Sequence, residues 1–372
     1  MAPAFSKPSG WADLCPDLVG RIAGRLLTVT DFVRFRAVCR SWRASVRPSD
    51  LQPHLPWLML QYNPDSDTRQ FHCLATGAVY HLSLPEAQGK RVIGANHGWL
   101  ILVQENTSII NLLNPLTRSC FTLPPSTFTG DKVGHAIITS SPNTPSGTCT
   151  VVILLKQNCH LVAYCSGDGG RWGPWAVVNT GLPSDVYGAY DVAFHRRKFY
   201  IVNSHAEVAI VDVSPPAATA TRLQSAELPF PLDDDIMMEK AFLAVSDDQL
   251  LLFVFFSMVE SDDESEEPNR PLISFDIFRL EETGQPSWVG VRSMPDQTVF
   301  KCNAQVVVVR TGMFPGIRKN CLYFAFCNNG ELAVQTIRVF DMENWHSECR
   351  SLRPDSLPVF GIDPVWLVPS LI

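Results

Sequence analysis

No apolar run in this chain is long enough to cross a bilayer: the longest, Leu250–Phe256, is seven residues, against roughly 20 for a membrane helix. A basic excess is also missing. The net charge of −7 has the wrong sign for a general nucleic-acid binder, which must neutralise phosphates. The opening MAPAFSKPSG has neither a basic nor an apolar stretch of the kind a secretory signal needs. These absences predict a soluble protein of the cytoplasm or nucleus, with no membrane and no nucleic acid among its partners.

Catalytic signatures are missing too. There is no Walker A loop, no G-x-S-x-G elbow and no H-E-x-x-H helix. No C-x-x-C pair occurs; Cys159 with Cys165 and Cys321 with Cys327 sit in strand-like runs and read as core thiols. Asn63, Asp65 and Asp67 alternate like a calcium loop, but Thr68 and Leu74 stand where glycine and glutamate are required. The cluster Gly167-Asp168-Gly169-Gly170 reads as a turn, because Trp172, Gly173 and Pro174 break any helix that could follow. Asp191 and His195 share a face of one strand, yet lie about 13 Å apart at strand rise, too far for an acid–base pair. No metal, no cofactor and no catalytic residue is expected. Asn106-Thr107-Ser108 matches a glycosylation sequon that has no meaning in a protein that is not secreted.

What is present is the material of a folded chain: 46% hydrophobic and 18% charged residues over 372 positions. The 28 prolines and 22 glycines punctuate the chain throughout, which suits short strands joined by turns. Eleven cysteines, an odd number set mostly in apolar runs, read as reduced thiols acting as small hydrophobes. Charge is polarised. Residues 1–47 hold eight Lys and Arg against three Asp, while Glu260–Glu267 packs six acids into eight positions. That acidic loop, 260–268, closed by Pro268, reads as a solvated connection between two apolar strands.

Residues 1–10 read as a flexible N-terminus, and 11–47 as three short helices. Pro16 suits a first helical turn and Asp17 complements the dipole there. Leu18, Ile22 and Leu26 recur at i, i+4 and i+8 with Val19 and Ala23 alongside, an apolar stripe with Arg21 and Arg25 off it. Gly20 and Gly24 weaken this helix by about 1 kcal/mol each, so it needs tertiary support. Thr30 is the expected N-cap of a second helix through Phe32, Phe35 and Val38, and a third carrying Trp42 and Val46 should end before Pro48. A segment this short is not stable unaided, and a partner is the economical answer.

The ordered positions Leu14, Pro16, Leu18, Ile22, Leu26, Asp31, Phe32, Arg34-Phe35-Arg36, Val38-Cys39-Arg40 and Trp42-Arg43 resemble an F-box. Cys15 departs from that pattern, standing where the family usually has proline. The resemblance implies docking to a Skp-type adaptor, and through it to a cullin and a RING subunit. The implied adaptor-binding residues are Leu14, Pro16, Leu18, Ile22, Leu26, Phe32, Phe35, Val38, Cys39 and Trp42.

Residues 48–56, with three prolines, read as a linker of restricted flexibility. From Trp57 to the end of the chain, 57–372, short apolar runs such as WLMLQY, GWLILV, CTVVILL, KFYIVNS and QLLLFVFF alternate with turn residues. Counted generously there are about two dozen, which at four strands a blade predicts a β-propeller of about six blades, with seven as the alternative. The adjoining runs DVAFHRRKFYIVNS and AEVAIVDV read as meander strands. Asn114-Pro115 opens a hairpin turn that Thr117 and Arg118 close. His97–Pro124, Asp191–Asn203, Phe314–Phe324 and Pro364–Ile372 resemble plant F-box proteins with a C-terminal KIB-type β-propeller. The fold class is therefore mainly β, a three-helix module ahead of a propeller. The resemblance implies a substrate-recognition subunit of an SCF ubiquitin ligase that performs no chemistry itself and whose protein substrate is unknown. The alternative is an interaction scaffold that uses the module without a cullin.

Overall fold

The computed structural model describes residues 10–371 except 27, 52–54, 61–62, 64, 145–146, 157–159, 169–170, 184–190, 215–216, 224–235, 259–272, 303–304, 312–313, 315, 327–335, 345 and 352–363. The expected flexible start and the acidic loop 260–268 lie outside the described residues, Gly10 apart.

Six sheets of four or five strands form the blades of a propeller. Blade two is the plain case: Arg91–Asn96 innermost, then Trp99–Val103, Ile110–Leu113 and Cys120–Thr122 in an antiparallel meander. Blade four repeats it with Asp191–His195, Lys198–Val202, Val208–Asp212 and Thr219–Arg222. Blade three is led by Val133–Ile138 and blade five by Ile236–Ser246. In blade one the innermost strand is Val365–Leu367, which pairs with Trp57–Met59 and so ties the two ends of the repeat into one sheet. The six innermost strands touch in a ring, each against the next, with Gln305–Arg310 of blade six against Val365–Leu367 closing it.

Packing explains why inner strands read as unbroken apolar runs. Each gap between neighbouring blades holds its own apolar cluster, so an inner strand buries both faces. Trp99–Val103 is buried at every position. Outer strands alternate or are mostly exposed, as in Val79–Ser83 and Thr219–Arg222. Blades also approach closely at Gly94, where an added Cβ would fall 1.9 Å from the carbonyl oxygen of Ala136 in blade three.

Blade six departs from the meander. Gln297–Cys302 forms a hairpin with Gln305–Arg310, whose second arm becomes the innermost strand. The chain then returns past Gln297–Cys302 to lay Cys321–Phe326 parallel to it. Thr298 pins that crossing, with its hydroxyl 2.8 Å from both Thr311 Oγ1 and the Arg318 carbonyl oxygen.

Candidate functional site

The N-terminal module consists of α1 (Pro16–Ala23), α2 (Val29–Ala37) and α3 (Arg40–Ser45), preceded by a turn at Trp11–Asp13. Pro16 occupies the first helical position with Asp17 in the first turn. Cys15 is the extended residue before the helix and makes no side-chain cap, so its departure from the motif leaves the helix start in place. The helix ends at Ala23, earlier than the apolar spacing predicts, and Leu26 follows in the turn. For α2 the N-cap is Thr28 and not Thr30. Thr28 Oγ1 accepts from Asp31 N at 3.0 Å while its hydroxyl reaches the Asp31 carboxylate at 2.7 Å, an exchange that Thr30 could not make. Cys39 caps α3, its Sγ accepting from Trp42 N at 3.4 Å.

These helices enclose a small core of Val19, Ala23, Phe32, Phe35, Trp42 and Val46. The rings of Phe35 and Trp42 lie 4.4 Å apart, and Trp42 Nε1 donates to the Trp11 carbonyl at 3.0 Å. The ten residues named above therefore divide. Phe32, Phe35 and Trp42 are interior; Leu14, Leu26 and Cys39 are half-buried against that core. Pro16, Leu18, Ile22 and Val38 face outward, with Leu18 45%, Ile22 38% and Val38 60% exposed. The single stripe inferred for α1 is in fact two faces, because Val19 and Ala23 turn inward while Leu18 and Ile22 stand one turn apart outside. Trp11 at 73% and Val33 at 45% exposure join the outward apolar set and were not singled out by sequence. Val33 could have been, since a helix that buries Phe32 and Phe35 must turn position 33 away.

The module sits on the propeller. Val29 of α2 belongs to the cluster between blades one and two. Leu51 and Leu371 pack against both that cluster and the module's core. Leu55 is buried between blades six and one. Segment 48–56 is thus part of the packing where it is described, beginning with a short turn at Pro48–Asp50. The C-terminal stretch is held in its turn: Asn114 Nδ2 donates to the Ser370 carbonyl at 3.1 Å, and Ser370 lies so close to Gly98 that a Cβ there would come within 2.2 Å of the serine Cβ.

Other residues singled out by sequence are structural. Asn114 Oδ1 accepts from Leu116 N and Thr117 N, completing the turn. Arg118, with a φ of 65°, grips Glu86 of blade one through both carboxylate oxygens at 2.8 and 2.9 Å. That grip, with Lys90 adding its charge, holds the Glu86 carboxyl below its ordinary value against a burial that opposes it. Asp191 and His195 have different partners. Asp191 meets His135 Nδ1 at 2.9 Å and accepts from Leu243 N at 2.9 Å, lacing blades three, four and five. His195 faces Asp248 at 3.9 Å. His135, remote in sequence and buried, had no spacing to announce it. Asn63 Oδ1 accepts from Asp65 N, and Asp67 takes the hydroxyls of Ser83 and Thr68, so these groups serve a turn. Cys165 and Cys321 are buried, and burial pushes the Cys165 thiol up to about 11; Cys159 and Cys327 lie outside the described residues. Among the described residues no group of three or more His, Cys, Asp or Glu is placed to hold a metal ion, and no helix is long and apolar enough to cross a membrane.

Residues 70–345 match the KIB1-4 beta-propeller family. Among curated proteins, an F-box/kelch-repeat protein of Arabidopsis thaliana is 25% identical over 96% of this chain and 94% of its own. The F-box protein SKIP23 of Arabidopsis thaliana is 24% identical over 96% of this chain and 95% of its own. A further Arabidopsis thaliana F-box protein is 22% identical over 87% of this chain and 86% of its own. With the family's match covering most of the six blades and the first two of these relatives aligned over 96% of the chain, the chain belongs to the KIB1-4 beta-propeller family and is a plant-type F-box protein.

Proposed function

We propose that this chain is the substrate-recognition subunit of an SCF-type ubiquitin ligase. The helical module docks a Skp-type adaptor, which brings a cullin and a RING subunit, and the propeller recruits a protein substrate. The observation that carries this reading is the outward set Leu18, Ile22, Val33 and Val38 on a module whose own core is already filled. An apolar helical face left in water is a surface for a partner groove. Exposed arginines on the same module, including Arg21, Arg25, Arg34 and Arg43, would steer it toward an acidic partner. In this reading the chain does no chemistry and acts in the cytoplasm or nucleus. It raises the local concentration of substrate lysines beside a ubiquitin-loaded enzyme.

Leu18→Asp with Ile22→Asp is the test. Each buried leucine or isoleucine contributes about 1.5–3 kcal/mol, so the pair should weaken adaptor binding by roughly 100-fold or more. Both side chains are outside the core, so the melting temperature should stay at the wild-type value. Undiminished recovery of adaptor by the double variant defeats the docking assignment. Recovery of adaptor with no cullin from the wild-type protein would instead make the chain a scaffold.

A further inference from the structure

The innermost strands surround a cavity of about 410 Å³ at the channel mouth, within the size range of small-molecule sites. Inner strands of five blades line it, and Val368, just past the innermost strand of blade one, completes the wall. The wall is mainly apolar. Val245 is 38% exposed there, and Phe194 and Val306–Val308 are half-buried.

Most polar groups of the wall have partners within it, while Gln305, whose Nε2 donates to the Ala95 carbonyl, leaves its Oε1 without a partner among the described residues. Asn96 Nδ2 donates to the Ile138 carbonyl and its Oδ1 accepts from Ile138 N. The two carboxylate oxygens of Asp191 face His135 and Leu243 N, as described. None of the described lining residues is lysine or arginine, so a bound anion would find no countercharge. The surrounding protein also pushes the His97 imidazole down from its ordinary value, which keeps that ring neutral at the rim. Thr139 offers a hydroxyl donor. Its Oγ1 accepts from Thr150 N at 2.9 Å, which leaves the hydroxyl proton to be donated.

We infer that the channel mouth binds a neutral, mainly apolar small molecule carrying one hydrogen-bond acceptor, which Thr139 engages. Burial of apolar surface against Val245 and Phe194 drives binding, and the missing countercharge excludes charged ligands. This site is independent of adaptor docking, because none of its residues belongs to the helical module.

Prodan, a neutral naphthalene with a ketone acceptor whose emission shifts blue in apolar surroundings, is a suitable probe. The full-length protein should bind it saturably, one to one, with a blue shift. Val245→Trp, which fills the cavity from its open wall, should abolish that binding without lowering the melting temperature. Thr139→Val should weaken prodan about fivefold, the worth of one hydrogen bond, while leaving 2-(dimethylamino)naphthalene, which lacks the ketone, unaffected. Absence of saturable binding overturns the inference, as does binding that survives in a folded Val245→Trp protein. If Val245→Trp does not fold, Thr139→Val decides alone: equal loss of both probes, or loss of neither, overturns it. Leu18→Asp with Ile22→Asp should bind prodan as the wild type does, and loss of binding there would place the probe on the helical module and overturn the site.

Discussion

Cys39 shows how a residue in a recognition motif can serve the module that displays it. Its Sγ caps α3 by accepting from the backbone of Trp42, whose indole fills the space between the helices. Removing a helix cap costs about 1 kcal/mol. Cys39→Ala should therefore lower stability by about that amount in urea unfolding, and Cys39→Ser, with a better acceptor, should restore it and leave adaptor binding unchanged. Adaptor binding lost in a fully stable Cys39→Ser protein would mean that the thiol itself touches the partner. The spacing of Phe32, Phe35 and Trp42 gave away helices, but not which apolar residues turn inward. With only two turns in α1, one apolar pair on each side reads as a single stripe, and only the packing of Val19 and Ala23 against α2 and α3 separates them.

At the level of elements, inner strands were legible and outer ones were not, for one physical reason. Wedged between two blades, Trp99–Val103 buries both faces and reads as an apolar run; Thr219–Arg222 covers only an edge and reads as a loop. Blade six hides its strand order entirely, because nothing in AQVVVV says that this strand lies inside the one before it. The strand Val365–Leu367 is short, yet it carries the closure. Trp366 is wholly buried and meets Phe300 of blade six edge-on at 5.2 Å. Trp366→Ala should cost about 3–5 kcal/mol, read as a lowered urea midpoint; a loss under about 1 kcal/mol would show that the ring does not depend on this strand.

For the molecule as a whole, desolvation by the surrounding protein holds the imidazoles of half-buried His72, buried His195 and rim-exposed His97 below the ordinary 6.5. A histidine with a depressed folded value favours folding only while neutral, so its contribution is intact above pH 6.5 and is lost as pH falls below it. The unfolded chain then binds more protons than the native one. Unfolding free energy should fall between about pH 7.5 and about pH 5.5, with proton uptake on unfolding; a flat or rising profile would show these rings protonate freely in the fold. Asp276 runs the other way, since burial raises its carboxyl, but it acts nearer the carboxylate range. The seam between Trp57–Met59 and Val365–Leu367 has a consequence in time. Translation delivers the helical module first and the closing strand more than 300 residues later, and pairing across so long a separation is slow. During synthesis the module is complete while the ring still stands open, and Leu371 braces the two only afterwards. A ribosome that stops short of residue 365 would release the helical module attached to an unclosed ring, a product that, on the function proposed above, would occupy adaptor without presenting a finished recognition surface.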